Sequence, residues 1–375
     1  MTPIYLDHAA TSPLRPESRA AMHAVEGEVG NPSSLHGYGR RVLRFVDEAR
    51  EAVARAFGGA FAEIVFTSGG TEAANLAVVG TALAHQGTRR RVLASAGEHP
   101  CVLQTAPLLE RLGFRLETVP IDRVGRLDLD ALRDALGDDV LLVALMHANN
   151  ELGTRQPVAD AARLAHHAGA LLFTDAVQTF GAETGSVEDL GADLASMAAH
   201  KFGGPLGVGA LWVRGGVEVE PLLRGGAQER ERRGGTENWL ALAGVPAALS
   251  AVDPVAEAAG KAACRAAFLG ALEGAPVRSV PEEEGVLPGH LHVRFPGVSA
   301  ESLLIALDRL GVAAGSGSAC SSGAVEPSHV LRAAGYDERE QREGVRFTFG
   351  WSSTVEESRE AARRVSEAVR RILGR

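Results

Sequence analysis

The stretch "DLASMAAHKFGGPLGVGALWV", Asp193–Val213, reads as two apolar runs joined by a lysine and a glycine-rich turn. Each run is too short for a helix and apolar at most positions, the mark of a strand buried on both faces. The same kind of run recurs upstream as "EIVFT", "RVLAS", "RLETVP", "VLLVALMHA" and "ALLFTDA", several of them separated by helical patterns. One such pattern is "RVLRFVDEAREAVARAF", Arg41–Phe57, with apolar residues at helical spacing. Strands interleaved with helices predict an α/β fold, a mostly parallel seven-stranded sheet covered by helices. In sheets of this kind ligands gather beyond the carboxyl ends of the strands, so chemistry is to be sought just after each run.

The pattern changes near Pro254. A helical stretch is followed by "GHLHVRFPG", a helix near Ala300–Leu310, a loop carrying Cys320, "GVRFTFG" and a terminal helix over Val355–Leu373. This predicts a large domain over 14–253. A smaller α+β domain takes 1–13 and 254–375, with a mobile cysteine loop at about 314–326. The 375 residues suffice for two cores. A net charge of −9 argues against non-specific nucleic-acid binding. Cys101, Cys264 and Cys320 are far apart, giving neither a metal-binding pair nor an even disulfide set. No metal is therefore expected, and Cys101 and Cys264 read as ordinary residues. The N-terminus does not read as a signal peptide and no apolar run is long enough to span a membrane, so a cytoplasmic location is expected.

Polar residues follow the strands. After "EIVFT" comes Ser68-Gly69-Gly70-Thr71-Glu72, where free N–H groups at a helix start suit a phosphate, or where Thr71 serves only as a cap. "ALLFT" ends in Asp175, followed by Gln178, and "DLASMAA" in His200-Lys201. An aspartate and a lysine ending neighbouring strands are what pyridoxal phosphate requires: a carboxylate to keep the pyridine nitrogen protonated and an amine to hold the cofactor covalently. A buried Asp–Lys ion pair without cofactor is the alternative. His99, in "ASAGEHPC", could stack on the ring and exchange protons. Asn149, Asn150 and Glu151 form a further cluster that could serve either a loop or a ligand.

Ten segments in the same order make the resemblance specific. They include "YLDHAATSP", "GNPSSLHGYGR", "FTSGGTEAANLA", "AHKFGGPLGVGALWVR", "GGAQERERRGGTEN" and "GSGSACSSGAVEPSHVLRAAG". The chain resembles a cysteine desulfurase of the NifS/IscS kind, in the class V aminotransferase branch of fold-type I pyridoxal-phosphate enzymes. The resemblance implies that Lys201 holds the cofactor and carries protons, and that Asp175 pairs with the ring nitrogen. Gln178 would bond the ring hydroxyl, and His99 would stack over the ring. Gly70, Thr71 and His200 would bind the phosphate, with Asn150 at the ring edge or the substrate. Arg346 would clamp the substrate carboxylate, helped by Asn31. Thr236 would reach the phosphate of the partner in a homodimer. Cys320 would accept sulfur from L-cysteine, leave L-alanine, and pass the persulfide to an acceptor such as an iron–sulfur scaffold or a tRNA-thiolation enzyme.

Three departures from the family pattern stand out. Ala198 replaces a phosphate-contacting serine, Trp351 follows "VRFTFG" where a basic or small residue is usual, and the sequence stops soon after its last helix. The last argues against scaffold docking through a longer C-terminal tail. A selenocysteine lyase or another class V enzyme would share the cofactor set. A non-catalytic sulfur-relay protein would not need both Lys201 and Cys320. A nicotinamide dehydrogenase would need a glycine fingerprint that "SGGTEA" lacks.

Overall fold

In the computed structural model, residues 2–182, 185–272, 275–280, 285–317 and 327–374 are described. The chain begins with a two-residue strand, β1 (Ile4–Tyr5), and crosses to helix Pro16–Val25 and the long helix Gly37–Phe57. His36 Nδ1 accepts the Gly39 N–H at the start of that helix. Gly58, with φ of 73°, ends it in the left-handed conformation that glycine adopts without strain. Val42, Val46, Ala49, Val53 and Phe57 form its buried stripe, one helical turn apart.

The central sheet contains β2 (Ile64–Thr67), β3 (Arg91–Ser95), β4 (Arg115–Val119), β5 (Val140–Ala144), β6 (Leu171–Asp175), β7 (Leu194–Ala198) and β8 (Gly209–Val213). Their order is β2-β8-β7-β6-β5-β3-β4. Strands β7, β6, β5, β3 and β4 pair parallel, while β8 is antiparallel to both of its neighbours. The seven runs expected to be strands are thus the seven strands of one mostly parallel sheet. The reversal of β8 has a simple cause. The link from Ala199 to Val208 is too short to hold a crossover helix, so the chain can only return alongside β7. With β8 alone reversed, β2, β3, β5, β6 and β7 all present their carboxyl ends along one edge.

A second core, formed by Ile4, Leu6, Phe268, Val293, Phe295, Leu303, Phe347, Val365 and their neighbours, is separate from those flanking the large sheet. Its sheet has β9 (Arg278–Ser279), β10 (His290–Arg294) and, after β11 (Val312–Ala313), β12 (Gly344–Thr348), in the order β12-β10-β9. Helices Pro254–Gly270, Ala300–Arg309 and Val355–Ile372 supply its other walls. The N-terminal strand joins this part by pairing β1 with β11 in parallel.

One buried ion pair fixes a loop on the large part. Arg50 donates to both Glu229 carboxylate oxygens at 2.7 Å, and the Phe66 N–H donates to the same carboxylate at 2.9 Å. Glu229, Arg230 and Glu231 all have positive φ, a conformation costing non-glycine residues about 1–2 kcal/mol each. Replacing Glu229 by alanine leaves the Arg50 guanidinium buried without its partner. The expected loss is about 3–5 kcal/mol in denaturant unfolding, most of it recovered when Arg50 is also changed to methionine.

Candidate active site

A cleft of about 470 Å³ opens where the strand ends face the smaller part of the molecule. It is lined by Gly70 and Thr71 after β2, His99 after β3, Asn150 after β5, Asp175 and Gln178 after β6, and His200 and Lys201 after β7. The other wall supplies Asp7, Leu304, Gly315–Gly317, His329 and Arg346. Nine residues expected at the site from sequence thus meet in one cavity, Arg346 among them.

The geometry separates the two readings of Asp175 and Lys201. Lys201 Nζ donates to the carbonyl oxygens of Ala9 and Ala10, at 2.6 and 2.9 Å, and makes no ion pair with Asp175. Asp175 Oδ1 accepts from the Val177 N–H at 3.0 Å and the Ser196 hydroxyl at 2.9 Å. Its other oxygen accepts no hydrogen bond from the described residues. Burial, reinforced by the Arg346 charge and only partly opposed by Asp175 and Asp7, lowers the Lys201 amine to about 8.

Two histidines beside this pair have lowered pKa values. His99 Nδ1 accepts the Cys101 N–H at 3.1 Å as the cap of helix Pro100–Leu103, and burial lowers its pKa further. A ring accepting at Nδ1 and uncharged carries its proton on Nε2. His200 Nδ1 lies 3.0 Å from the Thr11 hydroxyl, and burial lowers its pKa to about 4. At the turn after β2, a Cβ on Gly70 would meet a Val177 side-chain methyl at 2.7 Å, so the helix start packs closely against the residues after β6. Gln178 Nε2 donates to Ala9 O at 3.1 Å, sharing that carbonyl with Lys201. Arg346 is buried, 5 % exposed, and donates to Asp7 at 2.7 Å and to the Asn150 carbonyl at 2.6 Å.

Not every expectation falls in the cleft. Asn31 is exposed, its side chain turned back to the Ser33 N–H, and Thr236 is exposed as well. Neither lines the cavity of a single chain. Trp351 is likewise not on its rim. It lines a second cavity of about 70 Å³ and donates to the Pro13 carbonyl at 3.1 Å. Ala198 does line the cleft, offering a methyl where a hydroxyl was usual. Cys320 and most of its loop, 318–326, lie outside the described residues.

Sequence reasoning missed four residues. Cys101, read as ordinary, lines the cleft, and burial together with the Asp175 and Glu98 charges pushes its thiol up, away from the reactive thiolate. Glu98 is fully buried, pushed up to about 8, and accepts the Met146 N–H at 2.6 Å. Asp7 orients Arg346, and His329 lines the cleft with Nε2 against the Glu98 carbonyl. The signal available was position alone, since Asp7, Glu98 and Cys101 sit in the same short motifs as the residues identified.

The aminotransferase class-V family model matches residues 4–359. The chain belongs to the class V aminotransferase family. It is 42 % identical, over 99 % of its length and 100 % of the relative's, to a putative cysteine desulfurase IscS 1 of Bacillus subtilis. A solved NifS-like protein superposes with a TM-score of 0.91 at 33 % identity, covering 98 % of this chain and 99 % of that one. A structure described as SspA in complex with cysteine gives 0.83 at 30 % identity, over 92 % and 98 %.

Membership of the class V family leaves the state of Lys201 testable by itself. In the cofactor-free chain a short pulse of an amine-acylating reagent should label Lys201 with a midpoint near pH 8 rather than 10.5, read by mass spectrometry. The sign for stability follows: between those values the unfolded chain binds the proton more tightly, so this group adds stability as pH rises from about 8 to 10.5.

Proposed function

We propose that this chain is a pyridoxal-phosphate-dependent cysteine desulfurase that converts L-cysteine to L-alanine and collects the sulfur as a persulfide on Cys320. The observation that carries the reading is the arrangement of Lys201 and Asp175. They line one cleft without pairing, the amine held by two carbonyl oxygens and the carboxylate fixed through one oxygen only. The donor set fits the cofactor. Gly70 and Thr71 at a helix start and neutral His200 suit a phosphate, Asp175 suits a protonated ring nitrogen, and the flat face of His99 suits a ring.

When bound, the cofactor supplies an electron sink that stabilises negative charge at the substrate Cα and weakens the Cβ–S bond. Lys201, its amine near 8, holds the cofactor, then removes the Cα proton and returns it. Asp175 keeps the ring nitrogen protonated, Gln178 bonds the ring hydroxyl, and Asn150 bounds the ring edge. Arg346 receives the substrate carboxylate, its planar fork suited to two oxygens. The Cys320 thiolate attacks the substrate sulfur. A new S–S bond forms, the Cβ–S bond breaks, and its electron pair with protons from the site completes L-alanine.

A cytoplasmic homodimer suits the exposed residues. Asn31 lies among exposed apolar side chains, Val29 at 70 %, Leu35 at 91 % and Tyr38 at 60 %. A second copy covering this surface would bring Asn31 and Thr236 towards a cleft. The persulfide then passes to an acceptor such as an iron–sulfur scaffold or a tRNA-thiolation enzyme.

Two measurements test the reading. The purified protein should be yellow, and borohydride should trap the cofactor on Lys201, mapped by mass spectrometry; a colourless protein that takes up no pyridoxal phosphate overturns the proposal. Cys320→Ser should lower alanine release from L-cysteine by about a hundredfold or more, and undiminished turnover removes Cys320 from its role.

A further inference from the structure

Glu151 is 1 % exposed, yet it sits in the wall of the cleft between two parts of the chain that are far apart in sequence. It belongs to a tight turn after β5, where the Asn149 side-chain oxygen accepts the N–H groups of both Glu151 and Leu152 at 2.9 Å. Asn149 is itself held, donating to the Gly97 carbonyl at 3.0 Å. The carboxylate therefore projects from a fixed base.

Its contacts lie on both sides of the segment that bears Cys320. On the exit side the Ser328 hydroxyl donates to Glu151 Oε2 at 2.5 Å. The same hydroxyl accepts the Leu331 N–H and so caps helix His329–Ala333. On the entry side Gly317 packs against the Glu151 side chain, and a Cβ there would come within 3.1 Å of Glu151 Cγ and Oε2. Gly317 also has φ of +86°, so both its conformation and its neighbour require glycine. Two residues earlier, Gly315 pairs with Arg346 through two backbone hydrogen bonds, at 2.7 and 3.1 Å. His329 Nδ1 faces the other carboxylate oxygen at 3.9 Å.

We propose that Glu151 is a positioning residue for sulfur transfer, its carboxylate bonded to Ser328 on one flank of the Cys320 segment and its side chain packed against Gly317 on the other. The proposal rests on the reading of Cys320 as the sulfur acceptor. Glu151 takes no part in binding the cofactor or moving the Cα proton; it fixes where the thiol-bearing segment leaves and rejoins the cleft wall. Such a tie acts on the step in which the thiol must meet substrate sulfur, and on no earlier step.

The test separates these steps in Glu151→Ala, Glu151→Gln and Ser328→Ala. Exchange of the L-alanine α-proton with D2O needs Lys201 and no thiol, and should stay within about twofold of the parent in all three. Single-turnover transfer of labelled sulfur to Cys320 should fall about tenfold or more in Glu151→Ala and by about three- to tenfold in Ser328→Ala. It should largely recover in Glu151→Gln, whose amide oxygen still accepts from Ser328. Independently of activity, amide hydrogen exchange in the cofactor-free protein should quicken at Gly317 and Leu331 in Glu151→Ala. Unchanged transfer, unchanged amide exchange, or a parallel fall in α-proton exchange each overturns the proposal. If Glu151→Ala does not fold, Ser328→Ala decides by the same criteria. Cys320→Ser that releases alanine at the parent rate instead removes Cys320 as the sulfur acceptor on which this proposal rests, and the amide exchange still reports on Glu151 alone.

Discussion

The site depends on the N-terminal segment from Ile4 to Ser12, which crosses from one sheet system to the other and is hydrogen-bonded along its length. It starts as β1 paired with β11, and the Leu6 carbonyl accepts the Thr348 N–H at 2.8 Å. Asp7 then meets Arg346, the carbonyls of Ala9 and Ala10 receive Lys201, and the Ser12 N–H donates to the His200 carbonyl at 3.0 Å. A buried backbone carbonyl must find a donor, and a buried amine must find acceptors. Each side here satisfies the other, so the position of Lys201 and that of Arg346 are set by one short stretch of chain.

That constraint explains the electrostatics of the cleft. Low dielectric penalises every charge placed there, which is why Lys201 is lowered to about 8 and Glu98 raised to about 8. The carbonyls of Ala9 and Ala10 stabilise an amine by hydrogen bonds without adding a full negative charge, so they orient Lys201 without locking it as an ammonium. A carboxylate in their place would raise its pKa. The absence of an Asp175–Lys201 ion pair thus helps to keep the amine at a lowered pKa. Asp175 is held through one oxygen only, by Val177 and Ser196.

Most of the strands were legible because they are apolar along their length, the edge strand β4 being the polar exception, and the residues after them because polar groups at the end of a buried run have few bland explanations. Asp175, His99 and Lys201 were found in this way. The direction of β8 was not read from the pattern, although the length of the turn after Lys201 already dictates it. Glu98 and Cys101 were passed over because a residue beside a motif looks like its spacer; only packing shows that Glu98 is buried and that Cys101 faces the cavity. Asn31 and Thr236 illustrate the opposite limit. Their motifs were recognised by resemblance, but a single chain leaves both exposed, because what would surround them is not part of its own core.

Arg346 shows what this economy of contacts costs. Its guanidinium is almost fully buried, one terminal nitrogen donates to Asp7, the other to the Asn150 carbonyl, and its Nε is buried without a partner among the described residues. Any anion entering the cleft would have to share the two terminal nitrogens with the groups already there. Both present bonds already have a charged donor, and a carboxylate in place of the carbonyl would add the attraction of an opposite charge. Asp7 therefore fixes the orientation of the guanidinium towards the cleft, and the Asn150 carbonyl is the neutral one of its two acceptors.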